Sequence, residues 1–302
     1  MNGFAAFIMT FRRNIALKET IEKLFEQTCP PQKILIIDND PKGGASEVVD
    51  SFRRSNLAYH SMGYNAGPAG AARAGLKILS EEGYEFIAWI DDDDPPFFKD
   101  TTAILLKLIQ SGSNIGCVGS VGQYFDMSRA LIKRVPDTEL ATEGPLSVDN
   151  IAGNMTKIIR ADAIRKNGIL PDESFFFGFE ELEFDLNLKK AGFIIACDRQ
   201  LYKRHRVFHH REGFQVRHGE KKSERGLARE YYSTRNMLSI LRKHKSYKGI
   251  LRFGLRVGFK MIRGFRFGWR YGIQNLSILI SAIIDFVKGR SGMRNILSEK
   301  SQ

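Results

Sequence analysis

The sequence has few cysteines and carries nothing that reads as a membrane-spanning segment. Its three cysteines, Cys29, Cys117 and Cys197, form neither a metal-binding spacing nor a disulfide framework, which indicates a reducing compartment. The apolar start at 4–10 lacks a basic leader, so we expect a buried strand there and not a secretory signal. The apolar run 273–287 is too short and too interrupted by polar residues to cross a bilayer. We therefore expect a cytoplasmic protein.

Acidic residues are scarce in the last third of the chain. Residues 1–198 carry 21 Lys and Arg against 28 Asp and Glu, a net charge of −7. Residues 199–302 carry 25 against 6, a net charge of +19. A basic region of this kind attracts anionic lipid or nucleic acid, and of the two we expect an anionic membrane surface and no nucleic acid.

The basic region contains a regular cationic pattern. Six cations at spacings of three or four residues fall on one stripe of an ideal helix: Arg252, Arg256, Lys260, Arg263, Arg266 and Arg270. Large apolar residues (Phe253, Val257, Met261, Phe265, Trp269) lie mostly away from the stripe, which predicts a helix over 250–272 lying in a membrane interface. Glycines opposite the stripe permit close helix packing, and hence a homo-oligomer. The alternative is a soluble helix with a solvated basic face.

Apolar strands and amphipathic helices alternate through the first 90 residues. Strands are predicted at 4–10, 33–38, 57–60 and 86–90, and helices at 14–27, 46–55 and 70–80. Such alternation predicts an α/β fold with a mainly parallel sheet and helices on both faces. We expect a catalytic domain over 1–225, with halves at 1–115 and 116–225, and a membrane-associating helical region over 226–302.

Four consecutive carboxylates, Asp91 to Asp94, follow the strand at 86–90. Two prolines come directly after them and forbid the strand from continuing. Ligands bind beyond the carboxyl ends of parallel strands, and hard divalent cations combine one or two carboxylates with phosphate oxygens. The cluster indicates a metal–diphosphate site, and a solvated acidic turn is the alternative.

Two further strand ends are expected at the same edge, because right-handed crossovers keep them on one side. Residues 10–13 follow the first strand, and Asp38 follows the second, where it is positioned to accept hydrogen bonds from a base or ribose or, equally, to form a turn. The small-residue loop 65–70 lets backbone approach a ligand, and Arg73, one turn inside the next helix, is positioned to bind phosphate. A flexible turn is the alternative for that loop.

Together these segments resemble the nucleotide-sugar half of family 2 glycosyltransferases, most closely the bacterial rhamnosyl- and galactofuranosyltransferases, over roughly residues 4–212. The motifs that carry the resemblance are Thr10-Phe11-Arg12, Ile36-Ile37-Asp38-Asn39, Asn65-Ala66-Gly67-Pro68-Ala69-Gly70 and Trp89-Ile90-Asp91-Asp92-Asp93. The resemblance implies a GT-A type fold, with Asp91 and Asp93 holding Mg²⁺ or Mn²⁺. The nucleotide-sugar would be bound by Thr10, Phe11, Arg12, Asp38, Asn65, Gly67, Arg73 and Asp92. Asp94 is an extra acid where the family has a neutral residue, which leaves the register open by one position.

The resemblance continues in an aromatic–acidic segment at 175–185. It implies that Glu181 is the general base, with Glu180 as the alternative, although the family usually has Asp at this position. It places Phe177, Phe179 and Glu183 at the acceptor. Acids in a first helical turn are also stabilised by the helix dipole, which is the simpler explanation. Farther on, His209 matches a third metal ligand of some relatives; His210 and an incidental basic loop are the alternatives.

We therefore expect a metal-dependent, inverting glycosyltransferase. It would move rhamnose or galactofuranose from a UDP- or dTDP-sugar to a hydroxyl of a glycan or lipid-linked saccharide, at the inner face of the cell membrane. A nucleotidyltransferase that uses the same acids, or a non-catalytic protein that binds membrane or nucleic acid, is the alternative.

Overall fold

The computed structural model describes residues 3–151, 156–211, 213 and 221–294, which divide into two compact units. The first unit contains the described residues of Met1–Tyr124, Arg134–Asp172 and Glu181–Gly213. The second contains those of Phe125–Lys133, Glu173–Glu180 and Phe214–Gln302. The second unit thus combines the basic C-terminal region with two short segments from the middle of the chain.

Eleven strands occur among the described residues. They are β1 (Phe4–Thr10), β2 (Lys33–Asp38), β3 (Leu57–Ser61), β4 (Phe86–Asp91), β5 (Ile115–Gly119), β6 (Gly122–Asp126), β7 (Leu131–Arg134), β8 (Pro145–Val148), β9 (Asn150–Ile151), β10 (Lys157–Arg160) and β11 (Ile194–Asp198). Eight of them form the main sheet, in the order β3-β2-β1-β4-β10-β5-β11-β8. Strands β1 to β4 are mutually parallel, and β10 runs antiparallel to both β4 and β5. The predicted α/β class with a mainly parallel sheet is confirmed.

The register of the parallel strands brings the predicted strand ends together. Thr10 pairs with Asp38, and Met9 pairs with Asp91. The polar residues after β1, β2 and β4 therefore share one edge of the sheet, as expected from right-handed crossovers.

Among the described residues, seven α-helices belong to the first unit, apart from the first residue of α6. They are α1 (Asn14–Phe25), α2 (Ser46–Ser51), α3 (Gly67–Glu81), α4 (Thr101–Gln110), α5 (Asp162–Arg165), α6 (Glu180–Lys190) and α7 (Arg199–Phe208). Because side chains alternate along a strand, neighbouring residues such as Phe7 and Ile8 enter separate apolar cores on the two faces of the sheet. The buried strands are therefore apolar throughout, and only their ends are free to carry polar chemistry.

Helix α3 begins three residues earlier than predicted. Gly67 has a φ of +68°, which suits glycine, and Pro68 occupies the first turn, where its missing N–H costs nothing. Arg73 lies in the second turn of the helix.

The second unit contains three long helices, α8 (Glu224–Lys243), α9 (Tyr247–Arg263) and α10 (Trp269–Val287). The prediction of one continuous helix over 250–272 is wrong. Helix α9 ends at Arg263, a 3₁₀ turn follows over Gly264–Phe267, and Gly268 at φ +107° redirects the chain. The six cations therefore do not form one stripe, because Arg266 lies in the 3₁₀ turn and Arg270 lies on the next helix.

The predicted glycine stripe also divides into different environments. A Cβ on Gly264 would come within 2.7 Å of the Asn275 side chain, and one on Gly272 within 2.4 Å of the Phe265 ring, so these two glycines pack inside the unit. Gly254 and Gly258 face open space. None of the helices in the described part of the chain combines the length and apolar content needed to cross a bilayer.

Candidate active site

Asp92 is the buried member of the acidic run, at 5% exposure. Its carboxylate accepts a 2.8 Å hydrogen bond from Thr10 Oγ1, and its carbonyl accepts one of 2.8 Å from Thr20 Oγ1 on α1. Burial raises the pKa of Asp92, while the Thr10 hydrogen bond and the charge of Arg13 act in the opposite direction. Thr10 and Asp92, both predicted to bind the nucleotide-sugar, thus bind each other and fix the end of β1 against the acidic run.

Arg13 is a site residue that sequence reasoning missed. Its Nη1 donates to Asp92 at 3.2 Å and also to Asp93. Burial disfavours the guanidinium, but the charges of Asp92 and Asp93 outweigh this effect and raise the pKa of Arg13. The sequence does contain a signal for this contact. Arg13 is the second cation in the loop after β1, at the sheet edge where the acids were expected.

The remaining acids of the run are suitable donors for a hard cation. Asp93 has a 45% exposed side chain, and Asp91 and Asp94 are half-buried. Burial raises the pKa of Asp94 to about 7, and the charge of Asp93 acts in the same direction. Crowded carboxylates of this kind gain from a cation, and Mg²⁺ needs only one or two of them beside phosphate oxygens. Within residues 3–151, 156–211, 213 and 221–294, no three His, Cys, Asp or Glu side chains already form a metal-binding group.

Asp38 lies at the buried end of β2, at 1% exposure. Its carboxylate accepts hydrogen bonds from the backbone N–H of Asp40 at 2.8 Å, from that of Ala45 at 3.1 Å and from the Tyr59 hydroxyl at 3.1 Å. These donors hold the loop after β2 in place. The same loop and the segment after β1 line a cavity of about 650 Å³, whose polar walls include Arg12, Arg13, Asn14, Asp38 and Asp40.

Arg12 lines this cavity, and Phe11 precedes it in the loop after β1. Arg12 has a φ of +58°, and its Nε donates to Asp40 at 3.2 Å. Its guanidinium also lies 4.8 Å from the centroid of the Phe11 ring, which is 37% exposed. The structure therefore brings Phe11 and Arg12 together with the loop that follows Asp38.

Asn39, which carried the resemblance but was not assigned a role, joins two loops. Its Oδ1 accepts a hydrogen bond from Ala66 N and its Nδ2 donates to Gly67 O, both at 3.3 Å. Asn65 closes the turn through its Oδ1, which accepts from Gly67 N at 3.0 Å. The small-residue loop is thus fixed beside the end of β2. Arg73 donates from Nη1 to the Pro171 carbonyl at 3.2 Å, and its role toward phosphate stays a prediction.

Helix α6 carries the predicted base and is anchored by an ion pair. Glu181 is half-buried, and one turn later Asp185 is fully buried, where it accepts from Lys157 Nζ at 2.9 Å and from Ile151 N at 2.8 Å. Burial disfavours the Lys157 ammonium, but the charges of Asp185 and Glu181 raise its pKa above the ordinary value. Glu183, predicted to contact the acceptor, is 1% exposed and accepts from Asn187 at 2.8 Å, so it faces the interior.

The aromatic part of the motif belongs to the second unit, where α8 holds it. Asn236 Nδ2 donates to the carbonyls of Phe175, Phe177 and Gly178 at 3.0, 2.9 and 2.8 Å. The Phe177 ring packs against Tyr232 at 6.1 Å, and Phe179 adopts a φ of +67°. Glu180 belongs to this unit and Glu181 belongs to the first unit. The assignment of Glu181 as the base, with Glu180 as the alternative, stays a prediction.

His209 follows the last turn of α7 and contacts aromatic residues that come soon after the acidic run. Its ring lies 5.3 Å from Phe97 and 6.1 Å from His205, both measured between centroids. His205 is 4% exposed, and neither ring nitrogen has a hydrogen-bond partner among the described residues. Burial lowers the pKa of His205 to about 4, and His209 and Arg204 contribute in the same direction. His205 is a second residue that sequence reasoning missed, and its signal was the four-residue spacing from His209, which is about one helical turn.

Comparisons with known proteins identify the family of the chain and its fold. The profile of Glycosyl transferase family 2 matches residues 6–168 of the 302. The galactofuranosyltransferase GlfT1 of Mycolicibacterium smegmatis (strain ATCC 700084 / mc(2)155) is 24% identical over 203 residues, which cover 62% of this chain and 65% of that relative's length.

Two solved structures have the same fold at low sequence identity. S. aureus TarS 1-349 in complex with UDP is 17% identical at a TM-score of 0.56, covering 95% of this chain and 82% of that one. The mannosyltransferase PcManGT from Pyrobaculum calidifontis, in complex with GDP-Man and Mn2+, is 12% identical at a TM-score of 0.55, covering 95% and 87%. With the family profile matching more than half of its length, the chain belongs to glycosyl transferase family 2 and has a GT-A type fold.

Proposed function

We propose that this chain is a metal-dependent, inverting glycosyltransferase that moves a sugar from a UDP- or dTDP-sugar to a hydroxyl of a glycan or lipid-linked acceptor. The observation that carries the proposal is the shared strand edge, where Thr10, Asp38 and the acidic run meet. Of the two sugars suggested by the motifs, the similarity to a galactofuranosyltransferase favours galactofuranose over rhamnose. The basic second unit and the lipid-linked acceptor together favour work at the inner face of the membrane.

The acids of the run would hold the cation. Asp91 and Asp93 would bind Mg²⁺ or Mn²⁺. His209 does not group with them in the described part of the chain, so it would have to approach the acids to become a third protein ligand. When bound, such an ion supplies positive charge to the departing diphosphate. Arg13 contributes a guanidinium that donates to Asp92 and Asp93, and Thr10 keeps Asp92 in place through its hydroxyl.

The base would act from α6. Glu181 would take the proton from the acceptor hydroxyl as the oxygen attacks the anomeric carbon from the face opposite the diphosphate. A single displacement of this kind inverts the stereocentre. The Lys157–Asp185 pair holds the helix against the sheet one turn beyond Glu181, so the base sits on a rigid element.

Nucleotide binding tests the proposal directly. We expect UDP or dTDP to raise the melting temperature in the presence of Mn²⁺ and to do so much less without it, because a ligand that binds only the folded state stabilises it by about 2.7 kcal/mol at a hundredfold excess over Kd. Thermal unfolding with UDP, dTDP, GDP and CDP, each with and without Mn²⁺, is the measurement. Folded protein that responds to none of the eight conditions would contradict the proposal, and release of pyrophosphate in place of sugar transfer would indicate a nucleotidyltransferase.

Asp93→Asn is expected to weaken metal dependence. Removing one charged oxygen ligand should raise the Mn²⁺ concentration needed for half-maximal activity by about tenfold or more. The matched control is Asp50→Asn, an exposed acid on α2. An unchanged metal titration in Asp93→Asn would place the cation elsewhere.

A further inference from the structure

Helix α9 is apolar on two opposite faces. Its inner face contains Val257, which is 1% exposed. Its outer face carries five large apolar side chains that are each between 59% and 74% exposed, namely Tyr247, Leu251, Leu255, Phe259 and Ile262. At 100° and 1.5 Å per residue, these five fall within an arc of about 120° and along about 22 Å of helix. Soluble proteins rarely expose an apolar strip of this extent without a partner for it.

Part of the basic pattern is used inside the unit. Arg256 donates to the carbonyl of Ala130 at 2.7 Å, and Lys260 pairs with Glu230 at 3.0 Å. Of the apolar side chains predicted to meet the membrane, Val257 is buried and Phe253, Met261 and Phe265 are half-buried, whereas Trp269 is exposed. Within α9 the sequence pattern therefore pointed to the wrong face of the helix.

Exposed cations border the outer face and the turn that follows it. Lys248, Arg263, Arg266 and Arg270 are all exposed. Trp269, at the start of α10, is 75% exposed and stands between two of these arginines. Apolar and aromatic side chains next to exposed Lys and Arg are the composition of surfaces that lie in the interface of an anionic bilayer.

We propose that the outer face of α9, together with Trp269, inserts into the headgroup region of an anionic lipid bilayer. This inference rests on the membrane placement proposed above and names the surface that achieves it. The charge favours lipid over a second copy of the chain, because pairing two copies through this face would bring like charges together, whereas anionic headgroups attract them. An acceptor carried on a lipid would then be presented to an enzyme already held at the same surface.

Co-sedimentation of the full chain with vesicles tests the surface. We expect binding to phosphatidylcholine vesicles that contain phosphatidylglycerol, weaker binding at high salt, and a loss of about tenfold or more in the double variant Leu255→Ser/Phe259→Ser. Both positions are exposed, so the variant should fold. The matched control is Ile280→Ser/Ile284→Ser, an exposed apolar pair with the same spacing on α10. Equal loss in both variants, or no binding by the parent chain, would overturn the proposal.

Tryptophan fluorescence of the chain itself reports insertion of this surface into the bilayer. Of its two tryptophans, Trp89 is 4% exposed and Trp269 is 75% exposed, so lipid should shift only the emission of Trp269 to shorter wavelength. Subtracting the spectrum of Trp269→Phe isolates that contribution. An unshifted Trp269 spectrum in the presence of bound vesicles would show that another surface docks.

Two further readouts separate the possible failures. If sedimentation velocity shows a dimer that Leu255→Ser/Phe259→Ser dissociates, and vesicles are not bound, the occupant of the face is a second copy and the lipid proposal is wrong. The metal-dependent stabilisation by nucleotide should be the same in this variant as in the parent chain. Lipid binding can therefore fail while the transferase proposal stands, and the reverse also holds.

Discussion

Glu181→Gln is expected to lower the turnover number by about 10²–10⁴-fold, which is the usual contribution of a general base. Glutamine keeps the size and hydrogen-bonding capacity of the side chain but cannot accept a proton at neutral pH. The substitution should leave binding of the donor nucleotide unchanged, because the proposed nucleotide site is at the shared ends of β1, β2 and β4. Turnover and nucleotide-induced thermal stabilisation are the two measurements, and only the first should change.

Glu180→Gln is the matched control for that substitution. The two glutamates are adjacent at the start of α6 and differ in their surroundings, since Glu181 acts electrostatically on Lys157 and lies one turn before Asp185. If Glu180→Gln carried the large loss and Glu181→Gln were nearly as active as the parent, the base would be Glu180. If neither lost activity, the aromatic–acidic motif would not supply the base.

The sheet and its polar edge could be predicted because the signals are local. Strands β1, β2 and β4 are apolar runs that end at the first polar residues, so they can be read directly from the sequence. Handedness of the crossovers then places the strand ends on one side without further information. The same reasoning could not find the Arg13 bridge, because a flexible side chain among several acids has many possible partners.

The second unit could not be predicted because its structure depends on distant residues. It combines Phe125–Lys133 and Glu173–Glu180 with the C-terminal helices, and no composition change marks either segment. The break at Gly268 could not be predicted either. The sequence does not distinguish this glycine from Gly258, which lies inside helix α9. Helix α9 carries apolar residues on two faces, and periodicity alone does not tell which face meets the protein.

Lys157→Met is expected to destabilise the first unit by about 3–5 kcal/mol, the usual cost of removing one partner from a buried ion pair. Lys157 and Asp185 are 2% and 0% exposed, so the substitution leaves a carboxylate buried without its cation. The Lys157 ammonium lies 5.2 and 5.6 Å from the centroids of the Trp89 and Phe184 rings, and methionine is long enough to replace it there with an apolar group, so lost packing contributes little. Urea unfolding of the single variant measures the effect.

The double variant Lys157→Met/Asp185→Asn shows whether that cost comes from charge or from shape. Asparagine retains an oxygen acceptor for Ile151 N, and the variant contains no buried charge at this site, so most of the lost stability should return. A double variant as unstable as the single one would mean that the lysine acts through packing.

If the double variant is stable, its turnover becomes informative, because the variant removes the charges of Lys157 and Asp185 near Glu181 while α6 stays folded. A base that depends only on its position should then remain active, whereas one tuned by Lys157 should show a shifted pH profile.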